Sequence, residues 1–139
     1  VEHVVDAFRH DLHPGDVILA NDPYHGGSHS LDWTLVTPVF YKRKPILLPV
    51  VRAHQGDNGG SVGGGYNPRS RDIWQDGLRI PPLKIYERGE KRRDVFDLVV
   101  LPRNAQQLSQ SNRRLNAGRL ILEFVRQQSG CGFDLTGLK

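Results

Sequence analysis

The sequence predicts an α+β fold: a mixed β-sheet with a hairpin and long functional loops, followed by a long C-terminal helix. Three observations carry that prediction. Apolar residues recur at helical spacing at Val1, Val4, Val5 and Phe8, and again at Leu108, Leu115, Leu120, Ile121 and Val125 within residues 106–128. Between these stretches lie short β-branched runs of strand length, bounded by polar turn residues. Fifteen glycines and nine prolines place much of the remainder in loops.

With 139 residues, of which 37% are hydrophobic, the chain can bury one core and is too short for two. Residues 1–139 therefore read as one partial domain. The first residues are already at helical spacing and lack an initiating Met, so the chain is expected to be a piece of a larger one.

Taken in order, the opening helix is followed by a turn at His13-Pro14-Gly15-Asp16 and a short buried strand, Val17–Ala20. That strand runs into residues 21–29, where Asp22-Pro23 and Gly26-Gly27 exclude regular structure and Asp22 is placed to form an Asx turn. Thr34–Tyr41 and Ile46–His54 are apolar and β-branched, with a short charged connection at 42–45, which is a hairpin signal. Pro38 and Pro49 cannot donate to a ladder and must fall at an edge or a bulge. Residues 55–71 form a loop long enough to suggest function. Ile80–Tyr86 is extended, 87–90 is a turn, and 94–101 is open between strand and helix. The helix over 106–128 ends where Gly130 offers a stop.

Composition narrows the chemistry. Cys131 is the single cysteine, so an internal disulfide and a four-cysteine zinc site are excluded, and any metal must be held by histidines and carboxylates. No window approaches 18 apolar residues and the start lacks a signal-peptide pattern, so a soluble cytoplasmic protein without a membrane partner is expected. The net charge of +4 is unevenly distributed: residues 1–60 hold five Lys/Arg and seven Asp/Glu, whereas 61–139 hold fourteen and eight. Acidic residues interleave with the basic ones and no stacking series of aromatics accompanies them. The basic residues from Arg88 to Arg93 therefore read as a solvated face, not a nucleic-acid site.

No P-loop, dinucleotide-binding fingerprint or Gly-x-Ser-x-Gly elbow is present. Trp33 and Trp74 are expected to wall the core or a cavity. The pattern that stands out is a repeated His-x-x-Asp, at His29–Asp32 before the hairpin and His54–Asp57 after it. A hairpin brings its two ends together, and two imidazoles with one or two carboxylates suit a divalent cation such as zinc, manganese or iron(II). On an extended strand His29 and Asp32 would point to opposite faces, so a turn must bring them together. On pattern alone the same residues read more readily as turn formers and surface groups than as ligands. His25 is open between loop residue, substrate contact and ligand.

Six segments occur in an order that resembles the hydantoinase B/oxoprolinase family. They are Gly15-Asp16-Val17, residues 21–29, Thr37–Phe40, Arg52–His54, Asp57-x-Gly59-Gly60 and Gly77–Pro82. The resemblance implies a metal held by His29, Asp32 and His54, with Asp57 close by and, with His25, a catalytic candidate. It also implies ATP bound not here but on a hydantoinase A-type partner, which activates a cyclic amide or ketone for this region to process. The chain alone is then expected to be inactive. The substrate stays open among hydantoin, oxoproline, lactam and ketone. Ser30-Leu31-Asp32-Trp33 departs from the Leu-Pro-Asp-Val that commonly follows the first histidine, and Gly65–Pro68 with Arg71–Trp74 looks closer to the carboxylases. A non-catalytic binding or assembly role with a basic surface is the alternative.

Overall fold

The computed structural model describes residues 1–62, 64, 65 and 67–100. The helix expected over 106–128, with Gly130 and Cys131 beyond it, lies outside the described residues, as do Gly63 and Tyr66.

Helix α1 (Glu2–Ala7) precedes strand β1 (Val17–Ala20). The hairpin region forms β2 (Asp32–Val36), β3 (Val39–Tyr41), β4 (Lys44–Leu47) and β5 (Val50–His54), and then come β6 (Leu83–Glu87), β7 (Glu90–Lys91) and α2 (Arg93–Val100). Residues 94–100, which pattern alone left between strand and helix, are thus helical. The main sheet has the order β5-β2-β1-β6-β7, and β3 and β4 pair separately.

The α+β class holds, with one correction. Every strand pairing among the described residues is antiparallel, where a mixed sheet was expected. The reason is connectivity: a parallel pair needs a crossover, usually a helix, and α1 and α2 lie before and after the strands, not between them.

β1 is central and buried throughout because both of its faces are covered. Val17 and Leu19 pack with Leu35, Ile80, Ile85 and Val99 of α2, whereas Ile18 and Ala20 pack with Val36 and Val4 of α1. This accounts for its uninterrupted apolar run, since a strand buried on both faces has no position for a polar side chain. Among the described residues no helix is long and apolar enough to cross a membrane.

The predicted hairpin forms as a ribbon in two parts. Residues 32–36 pair with 50–54 in the main sheet, and the outer portions pair as β3 and β4. Pro38 and Pro49 lie at the break, where the missing N–H groups cost no ladder bond, and Thr37 N–H bridges it to the Pro49 carbonyl at 3.1 Å. At the tip, Lys42 and Arg43 both have positive φ (47° and 68°), as a two-residue type I′ turn requires. The arrangement pairs Asp32 directly with His54 at the other end of the ribbon.

The two tryptophans diverge. Trp33 is half-buried against the core and its indole N–H donates to Asn58 at 3.2 Å. Trp74, expected as a core or cavity wall, is instead 63% exposed. It sits in a one-turn 3-10 helix, Ile73–Gln75, capped by Asp72, and this short turn holds the ring outward. The Arg79 guanidinium lies 5.7 Å from the Trp74 ring and 5.1 Å from that of Tyr24.

Candidate metal centre

Asp32 opens β2 and His54 closes β5, so the antiparallel register alone makes them neighbours. His29 arrives by a turn. The Asp32 N–H donates to the His29 carbonyl at 3.1 Å, bending residues 29–32 so that the imidazole returns over the carboxylate. Sequence spacing demanded such a turn, and it lies within His29–Asp32 itself. The upstream glycines bring the chain into position: Gly26 has φ of 89°, and a side chain on Gly27 would meet the Asp22 carbonyl at 2.9 Å.

The three side chains converge on one oxygen. Asp32 Oδ1 is 3.0 Å from His54 Nδ1 and 3.4 Å from His29 Nε2, and one ligand atom from each residue lies within 4.8 Å of the others. The two rings meet edge to face at 5.1 Å between centroids. Asp32 Oδ2 is occupied separately, accepting from Ser28 Oγ at 2.7 Å. The Ser28 hydroxyl is the main influence holding the Asp32 carboxyl below its ordinary value; partial burial opposes it, and the His54 hydrogen bond and both imidazoles add to it. An ionised Asp32 faces two nitrogen donors, and the site is open on one side, with His29 and His54 side chains 48% and 60% exposed against 16% for Asp32.

His25 and Asp57 are outside this cluster. Asp57 Oδ1 accepts from the Gly59 N–H at 2.7 Å, capping the start of the long loop. His25 ends the 3-10 turn Pro23–His25, and Asp22 forms the expected Asx turn by accepting from Tyr24 N–H. The buried Asp22 carboxylate also meets His25 Nδ1 at 2.5 Å and Arg79 at 2.8 Å. Burial pushes the Asp22 carboxyl up, but the hydrogen bonds from Arg79, His25 and Tyr24 outweigh it and keep the group below its ordinary value. An ionised carboxylate only accepts, so His25 carries its proton on Nδ1 and presents Nε2 unprotonated when neutral.

Sequence reasoning missed the two asparagines beneath the site. Asn21 and Asn58 are both buried, and each donates to the carbonyls of Ser30 and Leu78, at 2.6 and 2.8 Å from Asn21 and at 2.9 and 2.6 Å from Asn58. Asn21 also accepts from Ile80 N–H at 2.6 Å. These bonds tie the turn bearing His29 to the segment around Gly77–Ile80. Gly77, at φ of 127°, has no room for a side chain, since a Cβ would meet the Asn58 carbonyl at 2.6 Å. Asn58→Ala should destabilise the protein by about 1–3 kcal/mol, the cost of leaving buried polar groups unpaired. Denaturant unfolding checks this, and a loss below about 0.5 kcal/mol, within the range of neutral surface changes, would refute it.

Residues 1–117 match the family model described as hydantoinase B/oxoprolinase. The chain is 43% identical over 97 residues to the caprolactamase subunit beta of Pseudomonas jessenii, a match covering 70% of this chain and 17% of that protein. It is 40% identical over 79 residues to 5-oxoprolinase 1 of Arabidopsis thaliana, covering 57% of this chain and 6% of that one. The crystal structure of the ATP-dependent caprolactamase from Pseudomonas jessenii aligns with a TM-score of 0.69 at 36% identity, over 96% of this chain and 24% of that chain. The nucleotide-free structure of acetone carboxylase shares the fold, with a TM-score of 0.61 at 20% identity over 70% of this chain and 13% of that chain. The chain thus spans 17% or less of the length of these two curated relatives.

Proposed function

We propose, because this chain belongs to the hydantoinase B/oxoprolinase family, that His29, Asp32 and His54 hold a divalent cation at the reacting site of an ATP-dependent enzyme. The substrate class is a cyclic amide or a ketone, and ATP is bound by a hydantoinase A-type partner. The observation that carries this reading is the convergence of two imidazole nitrogens on Asp32 Oδ1. The donor set suits the group: tetrahedral ligands at about 2.1 Å from a cation stand roughly 3.4 Å apart, and Asp32 Oδ1 lies 3.0 and 3.4 Å from the two imidazole nitrogens, with all three ligand atoms within 4.8 Å of one another.

When bound, the cation supplies Lewis-acid polarisation of a carbonyl or phosphoryl oxygen. The chain's own residues do the rest. Asp32 contributes negative charge that offsets cation desolvation, and Ser28 fixes which of its oxygens faces the histidines. The exposed side of the cluster leaves room for substrate. His25, oriented through Nδ1 by Asp22, can accept a proton at Nε2. Asp57, which accepts from the Gly59 N–H at the start of the long loop, is the second catalytic candidate.

Titration of Zn²⁺ and Mn²⁺ into the full-length protein tests the reading. One cation per chain is expected, with affinity reduced at least about 100-fold in Asp32→Ala, beyond the usual effect of losing an outer partner. A folded protein that binds no cation, or an Asp32→Ala variant that binds like wild type, would leave the non-catalytic assembly role as the better account.

A further inference from the structure

We propose that Arg52, backed by His25 and His3, forms an oxyanion subsite next to the His29–Asp32–His54 centre and takes a carboxylate or phosphoryl group of a small organic substrate. This rests on the reading of that centre as the reacting site.

Register places the subsite. Arg52 is two residues before His54 on β5 and pairs with Thr34, which is two residues after Asp32 on β2. Side chains two apart share a face of a sheet and stand roughly 7 Å apart along the strand. Arg52 therefore projects from the same face as Asp32 and His54, one strand repeat away. On that face lies an open pocket walled by His3, Asp22, His25, Thr34 and Arg52, with Val50 as apolar lining.

Arg52 meets the pocket without a carboxylate partner among the described residues. Among the described residues the pocket's one carboxylate is Asp22, which is already engaged by Arg79 at 2.8 Å and His25 at 2.5 Å. Arg52 has only long contacts, with Thr34 Oγ1 at 3.3 Å and the Gly26 carbonyl at 3.5 Å. A guanidinium offers five N–H donors in a planar fork suited to a carboxylate or phosphate, so most of its capacity remains. The rings of His25 and His3 are stacked at 3.9 Å and 14°, which fixes the His25 imidazole in the pocket wall. Gly26 also lines the pocket, and nothing lies within 4 Å of where its Cβ would be. Apolar lining beside a cation suits an organic oxyanion. One strand repeat is a span that a single small molecule bridges, with its oxyanion at Arg52 and its reacting oxygen at the centre.

The test uses the full-length protein stripped with EDTA, so that anions cannot bind through a cation. Inorganic phosphate and acetate are titrated separately into wild type, Arg52→Ala, Arg52→Lys and His54→Ala. At least one anion should bind wild type and His54→Ala alike, bind Arg52→Ala at least about 10-fold more weakly, and recover in part with Arg52→Lys, as expected for loss of hydrogen bonds to a charged group. Binding of phosphate alone assigns the subsite to a phosphoryl group, and binding of acetate alone assigns it to a carboxylate. If neither anion binds, or Arg52→Ala binds like wild type, the proposal is overturned. Mn²⁺ titration of the same variants separates the two readings: Arg52→Ala should bind it normally and His54→Ala should not. Anion binding that depends on Arg52 without any Mn²⁺ binding would remove the metal reading alone.

Discussion

His54→Ala in the full-length assembly is expected to lower product formation at least about 100-fold while substrate-dependent ATP hydrolysis stays within about threefold of wild type. The split follows from the division of labour proposed above. His54 supplies one of three ligand atoms grouped within 4.8 Å, and its side chain is 60% exposed, so truncation removes a donor without opening a core cavity. Asp32 would lose its 3.0 Å partner but keep Ser28, and the β2–β5 pairing does not depend on the imidazole. An ATP site on a separate partner has no reason to respond. The measurement is ATP turnover against product in the same preparation, with assembly verified by size. If both activities collapse together in an assembled, folded complex, the division of labour is wrong. If both persist, His54 is not a ligand.

Lys84→Met is expected to cost about 3–5 kcal/mol of stability. Lys84 lies on β6 with its side chain 4% exposed, and its Nζ reaches Asp16 at 3.0 Å and Asp11 at 2.8 Å, with the Asp11 carbonyl also accepting from it. Asp16 is fully buried and additionally accepts from the N–H groups of His13 and Arg88 at 2.9 and 2.8 Å. Removing the ammonium strands the Asp16 charge with two backbone donors. For a domain whose whole stability is about 5–15 kcal/mol, such a loss is severe. Chemical denaturation measures it, and a loss under about 1 kcal/mol would show that the pair is not structural.

The pH dependence supplies a second signature of that pair. Burial pushes the Lys84 ammonium down, but the hydrogen bonds and charges of Asp11 and Asp16 overcompensate and leave it above its ordinary 10.5. Its contribution is therefore complete below 10.5 and is lost as pH rises through the higher folded value. Asp11 is shifted the other way, chiefly by its hydrogen bond from Lys84, so its contribution is present above 3.8 and is lost as pH falls through its lower folded value. Wild type should show both flanks. Lys84→Met should lose the alkaline flank with the ammonium and weaken the acid one, because Asp11 loses the hydrogen bond that chiefly shifts it.

Much of the site was legible in the chain itself because the relevant physics is local. The apolar run Val17–Ala20, the β-branched arms on either side of a charged connection and the two His-x-x-Asp patterns made a hairpin with histidines at its ends the natural reading. Antiparallel pairing then brings Asp32 opposite His54 with no further information. The Asx turn at Asp22 was equally readable, since it involves only the N–H two residues on. Even the strand breaks at Pro38 and Pro49 followed from a missing donor.

What only the tertiary structure decided depends on residues far apart in sequence. Asp16 read as a turn former, yet it is one half of a buried ion pair with a residue 68 positions later. Asn21 and Asn58 read as loop residues, yet they meet under Ser30 and Leu78 and hold the His29 turn in place. Trp74 read as a core or cavity wall because of its size, yet a one-turn helix in a long loop leaves it in solvent. Arg52 stood in a segment that carries the family resemblance, but it had no role until the register placed it on the face of Asp32 and His54. Periodicity reports how a segment meets its own neighbours along the chain. A buried polar side chain leaves no such period, because its partners are set by how the loops and strands pack against one another.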